Sequence, residues 1–342
     1  MTRNNKERKR ITIKDIAQVA GVSISTVSKV INNTGAISQR TKNNVLSVIN
    51  EFDYRPNEIA RALQQTKTYT IGLLSTDDYG RFSLPILKGI ENALLEAQIS
   101  VFLCNASGSQ QELKRHVDSL LAKRVDGIIV TAARTDTRPP LPLKKQGTPV
   151  VYVYTDVDDD NELCILPDDF GAGALACRHL IEQGSQHIVH IGGPAHYLAM
   201  QQRHKGYRQE MSKKGLTIRT PECGPWTSAH GYYAMQSIFA RYPEIDGVIA
   251  GNDLIGHGVL QALYEHGKSV PGDVAVIGFD NWQVVTELCR PNLSSIDFCL
   301  TELGQIAGQC LIKKIDGQDL RGKIAVPCFL QPGESSCRYS QN

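Results

Sequence analysis

Thr12-Ile13-Lys14-Asp15-Ile16-Ala17-Gln18-Val19-Ala20-Gly21-Val22-Ser23-Ile24-Ser25-Thr26-Val27-Ser28-Lys29-Val30-Ile31-Asn32 reads as two short helices joined by a tight turn. Thr12 is placed to cap the first helix, with Asp15 at capping-box spacing. Ile13, Ile16, Ala17 and Ala20 recur at helical spacing and give that helix one apolar face. Gly21 supplies the left-handed residue a tight stop needs, Val22 fills the corner, and Ser23 caps the second helix. Val27, Val30 and Ile31 face inward. Ile24, Ser25, Thr26, Ser28, Lys29 and Asn32 form the outer face, which is small, hydroxylated and singly charged. Such a face fits a DNA groove, so the stretch reads as a helix-turn-helix whose second helix meets base edges and phosphates. Unrelated helical hairpins match parts of this pattern; here both caps, the glycine and the polar face fall in register.

The surroundings support that reading. The 342-residue chain has a net charge of only +2, but residues 1–67 hold 12 Lys/Arg against 5 Asp/Glu, a net of +7, and the remainder a net of −5. A basic head on an acidic body implies that the head alone faces a polyanion. Arg3, Lys6, Arg8, Lys9 and Arg10 could be a solvated tail; Lys14, Lys29, Arg40, Lys42, Arg55 and Arg61 are spread through patterned sequence. The 9 cysteines are scattered without a CxxC pair, so neither a zinc nor a disulfide framework is legible. No apolar signal core opens the chain, and no run of about 18 apolar residues could span a membrane. A protein in the reducing cytoplasm is expected.

Ser38 is placed to cap a third helix, with Val45, Leu46, Ile49 and Phe52 expected inward, so that Ile16, Val27, Val30, Val45, Leu46 and Ile49 share one small core. Pro56 blocks continuation of that helix. Residues 57–64 have helical character but are too short to be stable alone in water. They are either a linker or a segment that folds against a second copy, against DNA, or both.

From Tyr69 the pattern changes. Strands are expected at Thr70–Leu74, Val101–Cys104, Gly127–Val130, Val150–Val153, Ile188–Ile191, Gly247–Ala250 and Val274–Phe279. Helices are expected at Leu84–Ala97, Gln111–Lys123, Gly171–Gln183, Gly206–Lys214, Gly231–Arg241 and Gly256–His266. This alternation predicts doubly wound parallel sheets. Val125-Asp126-Gly127-Ile128-Ile129 and Ile245-Asp246-Gly247-Val248-Ile249 echo one another, which suggests two similar lobes. Ligands of such sheets bind beyond the carboxyl ends of the strands, so the cleft between two lobes is the expected site. Ser75 to Asp78, Asn105, Asn252-Asp253 and Asp280-Asn281 follow strands; Arg203 precedes a helix, and Trp226 lies in a Gly-Pro-Trp loop. Asn and Asp at such places also cap helices. Together the set suits a polyhydroxylated ligand, with carboxylates accepting from hydroxyls, Arg donating a fork and Trp stacking on a C–H face.

Enzyme signatures are weak. Gly171-Ala172-Gly173-Ala174-Leu175-Ala176 matches GxGxxA, but Pro167 breaks the preceding segment and no ribose-binding acid follows. His187 and His190 fall on opposite faces of a strand and make poor joint metal ligands. Asp156 to Asp160 lacks the glycine and glutamate of a calcium loop and reads as a solvated acidic loop. Neither a GxSxG elbow nor a P-loop is present. No cofactor or metal is expected.

The chain resembles the LacI-type regulators, the group of the lactose, purine and ribose repressors, from Ile11 to about Ser336. The resemblance rests on Thr12–Asn32, Tyr54-Arg55-Pro56-Asn57 with Ala60-Arg61-Ala62-Leu63, Lys123 to Gly127, Gly251-Asn252-Asp253, and Val270 to Asp280. It implies a small all-α helix-turn-helix head (1–56), a hinge helix and linker (57–68), and a periplasmic-binding-protein-like α/β body of two doubly wound parallel sheets (69–342). The N-lobe would take about 69–166 and 296–328, the C-lobe about 167–295 and 329–342. It implies base reading by Ile24, Ser25 and Lys29, phosphate contacts near Thr26, Ser28 and Asn32, and a minor-groove wedge at Leu63 with Ala60 one turn before it. Arg203, Trp226, Asn252 and Asp280 match effector positions, with Thr76 on the first-lobe wall and Phe298 where many members carry Gln. The implied partners are a double-stranded operator, a second copy of the chain, and a sugar or sugar derivative, less readily a nucleobase or nucleoside. The absence of an apolar heptad tail favours a dimer over a tetramer. A secreted solute-binding protein would share the body without the basic head, and a sugar enzyme would need a catalytic constellation that is not legible.

Overall fold

The computed structural model describes residues 11–31, 34–54, 67–77, 80–106, 109–141 and 147–338. The chain divides at Thr68/Tyr69 into two compact units, described separately. Asn32, Ala60 and Leu63 lie outside the described residues, as does the rest of 57–64.

In the head, α1 (Ile13–Ala20), α2 (Ile24–Ile31) and α3 (Gln39–Glu51) enclose Ile16, Ala17, Ala20, Val27, Val30, Val45 and Val48. The Asp15 carboxylate accepts from the Thr12 amide at 2.8 Å and from the Thr12 hydroxyl at 2.7 Å. Gly21 ends α1 at φ 66. Ser23 and Ser38 cap α2 and α3 by accepting from the amides of Thr26 and Thr41. The expected inner face of α3 needs correction. Leu46 is 39 % and Phe52 37 % exposed, while Val48 takes the core place. The cause is the rotation of α3: Asn44 donates to the carbonyl of Ala20 at the end of α1, which turns the 41–45–48 row inward.

In the body, the first sheet runs in the order β2 (Ser100–Asn105), β1 (Thr70–Ser75), β3 (Gly127–Thr131), β5 (Val150–Val153), β7 (Leu163–Pro167), β13 (Gly322–Val326). The second runs β9 (Glu222–Cys223), β8 (Ile188–Gly192), β10 (Gly247–Ala250), β11 (Ala275–Phe279), β12 (Ser294–Asp297), β14 (Phe329–Gln331). Pairing is parallel throughout the two sheets except at β14, which runs antiparallel to β12. A short ribbon pairs β4 (Thr137–Arg138) with β6 (Asp156–Val157). The central strands are continuous apolar runs buried on both faces, as helix-covered parallel sheets require.

The sequence echo has a physical cause. Asp126 precedes β3 and accepts from the amide of Tyr69 at the start of β1; Asp246 precedes β10 and accepts from the amides of Gln186 and His187 before β8. Each carboxylate fixes the register of the central strand pair in its lobe.

The helices between the strands are α4 (Ser83–Leu94), α5 (Gln110–Ala122), α6 (Asp169–Glu182), α7 (Leu198–Lys213), α8 (Ser228–Arg241), α9 (Asp253–Glu265), the short α10 (Gln283–Thr286) and α11 (Leu300–Ile315). The chain passes between lobes at 167–169, 297–300 and 326–329. Three expectations change. The helix expected at Gly206 begins eight residues earlier, so Arg203 lies inside α7. Pro167 ends a strand instead of breaking a segment. Asp156 is not solvated: it is buried, accepts from Thr137 and pairs with Lys323 at 2.7 Å. Beyond these, β7, β12, β13, β14 and α11 carry no clear periodicity of their own.

The GxGxxA stretch is a packing device. A Cβ on Gly173 would lie 2.1 Å from the carbonyl oxygen of Arg203, and one on Gly206 would lie 2.1 Å from that of Phe170. The two glycines let α6 and α7 touch backbone to backbone. Gly206→Ala is therefore expected to cost about 1–3 kcal/mol in urea unfolding, whereas Leu46→Ala, on the exposed side of α3, should stay within about 0.5 kcal/mol.

Candidate effector cavity and nucleic-acid face

On the head, α2 leaves Ile24 (44 % exposed), Ser25 and Lys29 facing solvent, with Thr26 and Ser28 half-buried. The Thr26 hydroxyl is within 2.9 Å of the Ser23 hydroxyl, so it helps hold the cap. The Lys29 stem lies against Gly35. The exposed face thus pairs one apolar residue with a hydroxyl and an ammonium. Ile24 can meet a thymine methyl but cannot donate or accept; Ser25 and Lys29 can.

Between the lobes of the body, a cavity of 210 Å³ opens at the carboxyl ends of both sheets. Tyr154, Phe82 and Arg81 line it from the first lobe, and Trp226, Tyr197, Asn252, Asp280 and Arg203 from the second. The ring of Trp226 packs against Gly193, where a Cβ would lie 2.1 Å from it. Phe82 stacks on Tyr154 at 4.8 Å and 20°.

Arg203 is the best-anchored member. Its Nε donates to Asp169 Oδ1 at 2.8 Å and its Nη1 to the carbonyl of Gly251 at 2.6 Å. The rings of Phe298 and Phe279 lie 4.7 and 4.8 Å from the guanidinium, and that of Trp226 lies 5.8 Å away. Burial opposes its charge, but the Asp169 and Asp280 carboxylates outweigh it and hold the guanidinium protonated even more firmly than usual. Asp280 has φ 98 and Asn281 φ 47. This left-handed turn is pinned by Asn281, which donates from its amide to Ser295 Oγ at 2.9 Å and from Nδ2 to Asp297 at 3.0 Å. Burial pushes the Asp280 carboxyl above the usual range despite Arg81 and Arg203, and burial together with Asp280 pushes Asp253 well above it. Among the described residues no cluster of three or more His, Cys, Asp or Glu could hold a metal ion, and no helix is long and apolar enough to cross a membrane.

The model for periplasmic binding proteins and the sugar-binding domain of the LacI family matches residues 68–332, and that for bacterial regulatory proteins of the lacI family matches residues 12–57. The chain belongs to the LacI family. The ribose operon repressor of Escherichia coli is 35 % identical over 312 residues, which span 89 % of this chain and 93 % of that protein. The HTH-type transcriptional repressor PurR of Pasteurella multocida is 33 % identical over 309 residues, 89 % of this chain and 92 % of that one. Among solved structures, a complex of the transcriptional regulator CelR with cellobiose aligns at TM-score 0.68 and 29 % identity, covering 95 % of this chain and all of that one. The Lac repressor dimer bound to operator and the anti-inducer ONPF aligns in fold at TM-score 0.76 and 24 % identity, covering 96 % of this chain and 99 % of that one.

Of the six effector positions anticipated for this LacI-family body, the structure brings Arg203, Trp226, Asn252 and Asp280 to one cavity. Asn252 also caps α9, its Oδ1 accepting from Ile255 at 2.8 Å. The neighbouring Asp253 is no cap; it accepts from Ser295 Oγ at 2.6 Å and the Trp282 amide at 2.7 Å. Thr76 does not line the cavity: its hydroxyl accepts from Arg138 at 3.2 Å. Phe298 is fully buried and reaches the site through Arg203 and the ring of Tyr154. Arg81, Tyr154, Tyr197 and Asp169 were not anticipated. Tyr154 immediately follows the strand Val150–Val153, so the strand-end rule could have found it; Asp169 was hidden by the misreading of Pro167.

Two measurements follow from the buried charges. Asp169→Ala strands Arg203 and should cost about 3–5 kcal/mol in urea unfolding. His190 is buried beside His204, and burial, with His204 and Arg203 adding to it, lowers its pKa to about 3. It is neutral when folded and takes up a proton on unfolding below its ordinary 6.5. Its contribution is therefore complete above pH 6.5 and declines toward pH 3, by about 2 kcal/mol at pH 5. Asp253 and Asp280 act in the opposite sense, so the stability difference between wild type and His190→Leu, measured from pH 7.5 to 5, isolates the histidine.

Proposed function

We propose that this LacI-family chain is a cytoplasmic, non-enzymatic repressor of a carbohydrate-utilisation operon. It binds a palindromic operator as a dimer, with affinity set by a small carbohydrate in the interlobe cavity. The cavity carries the reading. Its 210 Å³ exceeds the roughly 150 Å³ that holds a benzene ring and falls short of the about 300 Å³ at which drug-sized sites begin. With Arg81 in place, that volume admits a guest of monosaccharide size. Aromatic faces at Tyr154 and Trp226 with polar groups at Arg203, Asn252 and Asp280 suit a C–H face edged by hydroxyls.

An apolar surface supports pairing of two copies. Among the described residues β2 is an edge strand with Phe102 and Leu103 exposed, and Leu84 is exposed on α4; in the second lobe Tyr264 and Leu288 are exposed. Two heads so joined would meet two half-sites. A ligand that binds one lobe pose more tightly would shift the spacing of the heads and with it operator affinity. Phe298 backs the cavity wall behind Arg203 and Tyr154.

A melting screen of pentoses, hexoses, their phosphates and nucleosides on the full chain tests the effector class. A monosaccharide at about 100 times its Kd should add about 2.7 kcal/mol of stability; stabilisation by nucleosides alone would move the reading to the purine side. Duplexes selected from a random pool should lose roughly 1–3 kcal/mol of binding with Lys29→Ala or Ser25→Ala, and Leu63→Ala should weaken selected duplexes far more than random ones.

A further inference from the structure

Arg81 bridges the cleft. It comes from the first-lobe turn ahead of α4, and its Nη2 donates to Asp280 Oδ2 in the second lobe. The two side chains are only 16 % and 8 % exposed. The guanidinium lies 4.4 Å from the ring centroid of Trp282, in the second lobe, and 4.9 Å from that of Phe82, in the first. It is therefore clasped by an aromatic face from each lobe while it pairs across them. The turn that presents it is fixed from below: the buried Asp77 carboxylate accepts from the amides of Phe82 at 2.8 Å and Ser83 at 3.0 Å. Among the described residues Arg81 is the only hydrogen-bond partner of the Asp280 side chain.

We propose that Arg81 is a built-in occupant of the effector cavity, which takes the place at Asp280 that ligand hydroxyls would take and holds the lobes together until a ligand displaces it. The proposal rests on the carbohydrate reading of the cavity. Arg81 makes one charge-assisted bond to Asp280, and two neighbouring hydroxyls, each a neutral donor, can together replace it at the two carboxylate oxygens. A displaced Arg81, already partly exposed at the cavity mouth, is received by water. Effector affinity is then a difference between two occupants, and a sugar lacking one of the two hydroxyls cannot match the arginine.

A second cross-cleft bond reports on the lobes without any ligand. Asp136 in the first lobe accepts from the amide of Leu198, at the start of α7 in the second, at 2.9 Å. In the full chain without sugar, Arg81→Ala should raise hydrogen exchange at the Leu198 amide about tenfold, with Arg81→Lys between it and wild type and β11 amides unmoved. Unchanged exchange at Leu198 overturns the proposal, because loss of a merely local tie leaves that separate cross-cleft bond intact. Calorimetric titration with D-ribose should show about tenfold tighter binding to Arg81→Ala, and a smaller penalty for 2-deoxy-D-ribose than in wild type. Weaker or unchanged ribose binding to Arg81→Ala would make Arg81 a ligand contact or a bystander and overturn the proposal. If neither protein binds any sugar, the carbohydrate reading fails, and exchange at Leu198 still decides whether Arg81 clamps the lobes.

Discussion

A guanidinium taken out of water must be paired, and the pairing of Arg203 with Asp169 organises the body around the cavity. The pair is buried on both sides, at 2.8 Å. Replacing either partner leaves an uncompensated charge, which is far more costly than the intact pair is stabilising. Asp169 opens α6 directly after the first crossing between lobes, and Arg203 lies within α7, so the pair fixes where the crossing ends relative to the second lobe. The backbone contact at Gly173 and Gly206 brings those helices close enough for it to form. Phe279 and Phe298 floor the guanidinium from the ends of β11 and β12. One ion pair thus joins a crossing, a helix pair and two strand ends.

The cavity inherits its character from this arrangement. Each arginine that lines it has a carboxylate partner: Arg203 with Asp169, Arg81 with Asp280, Arg134 with Asp136. The wall is rich in charge yet locally balanced, which suits a neutral, hydroxyl-bearing guest better than an ion. Aromatic faces supply the remaining surface. At the charged groups of the wall, whose partners are already in place, a guest must reproduce the bonds it breaks.

The sequence carried the head and the alternation of the body because both are periodic signals. Thr12, Gly21, Ser23 and Ser38 each act through the nearest few residues, and their roles were legible one by one. The rotation of α3 was not, since it is set by Asn44 reaching Ala20 from another helix. Of the cavity, Asn252 and Asp280 were anticipated at strand ends, Trp226 in a loop and Arg203 ahead of a helix, from residue chemistry and family resemblance. Arg81 was missed because nothing local marks it; its meaning comes from Asp280 and Trp282, about two hundred residues away. β12, β13, β14 and α11 were missed because the chain returns to sheets begun long before, and register with a distant strand leaves no local period.

The three crossings carry a mechanical consequence. Two bodies joined by one segment can turn freely on each other, but three connecting segments tie the lobes at three places. A guest that contacts both walls of the cavity therefore acts on a pair of bodies already tied at three places.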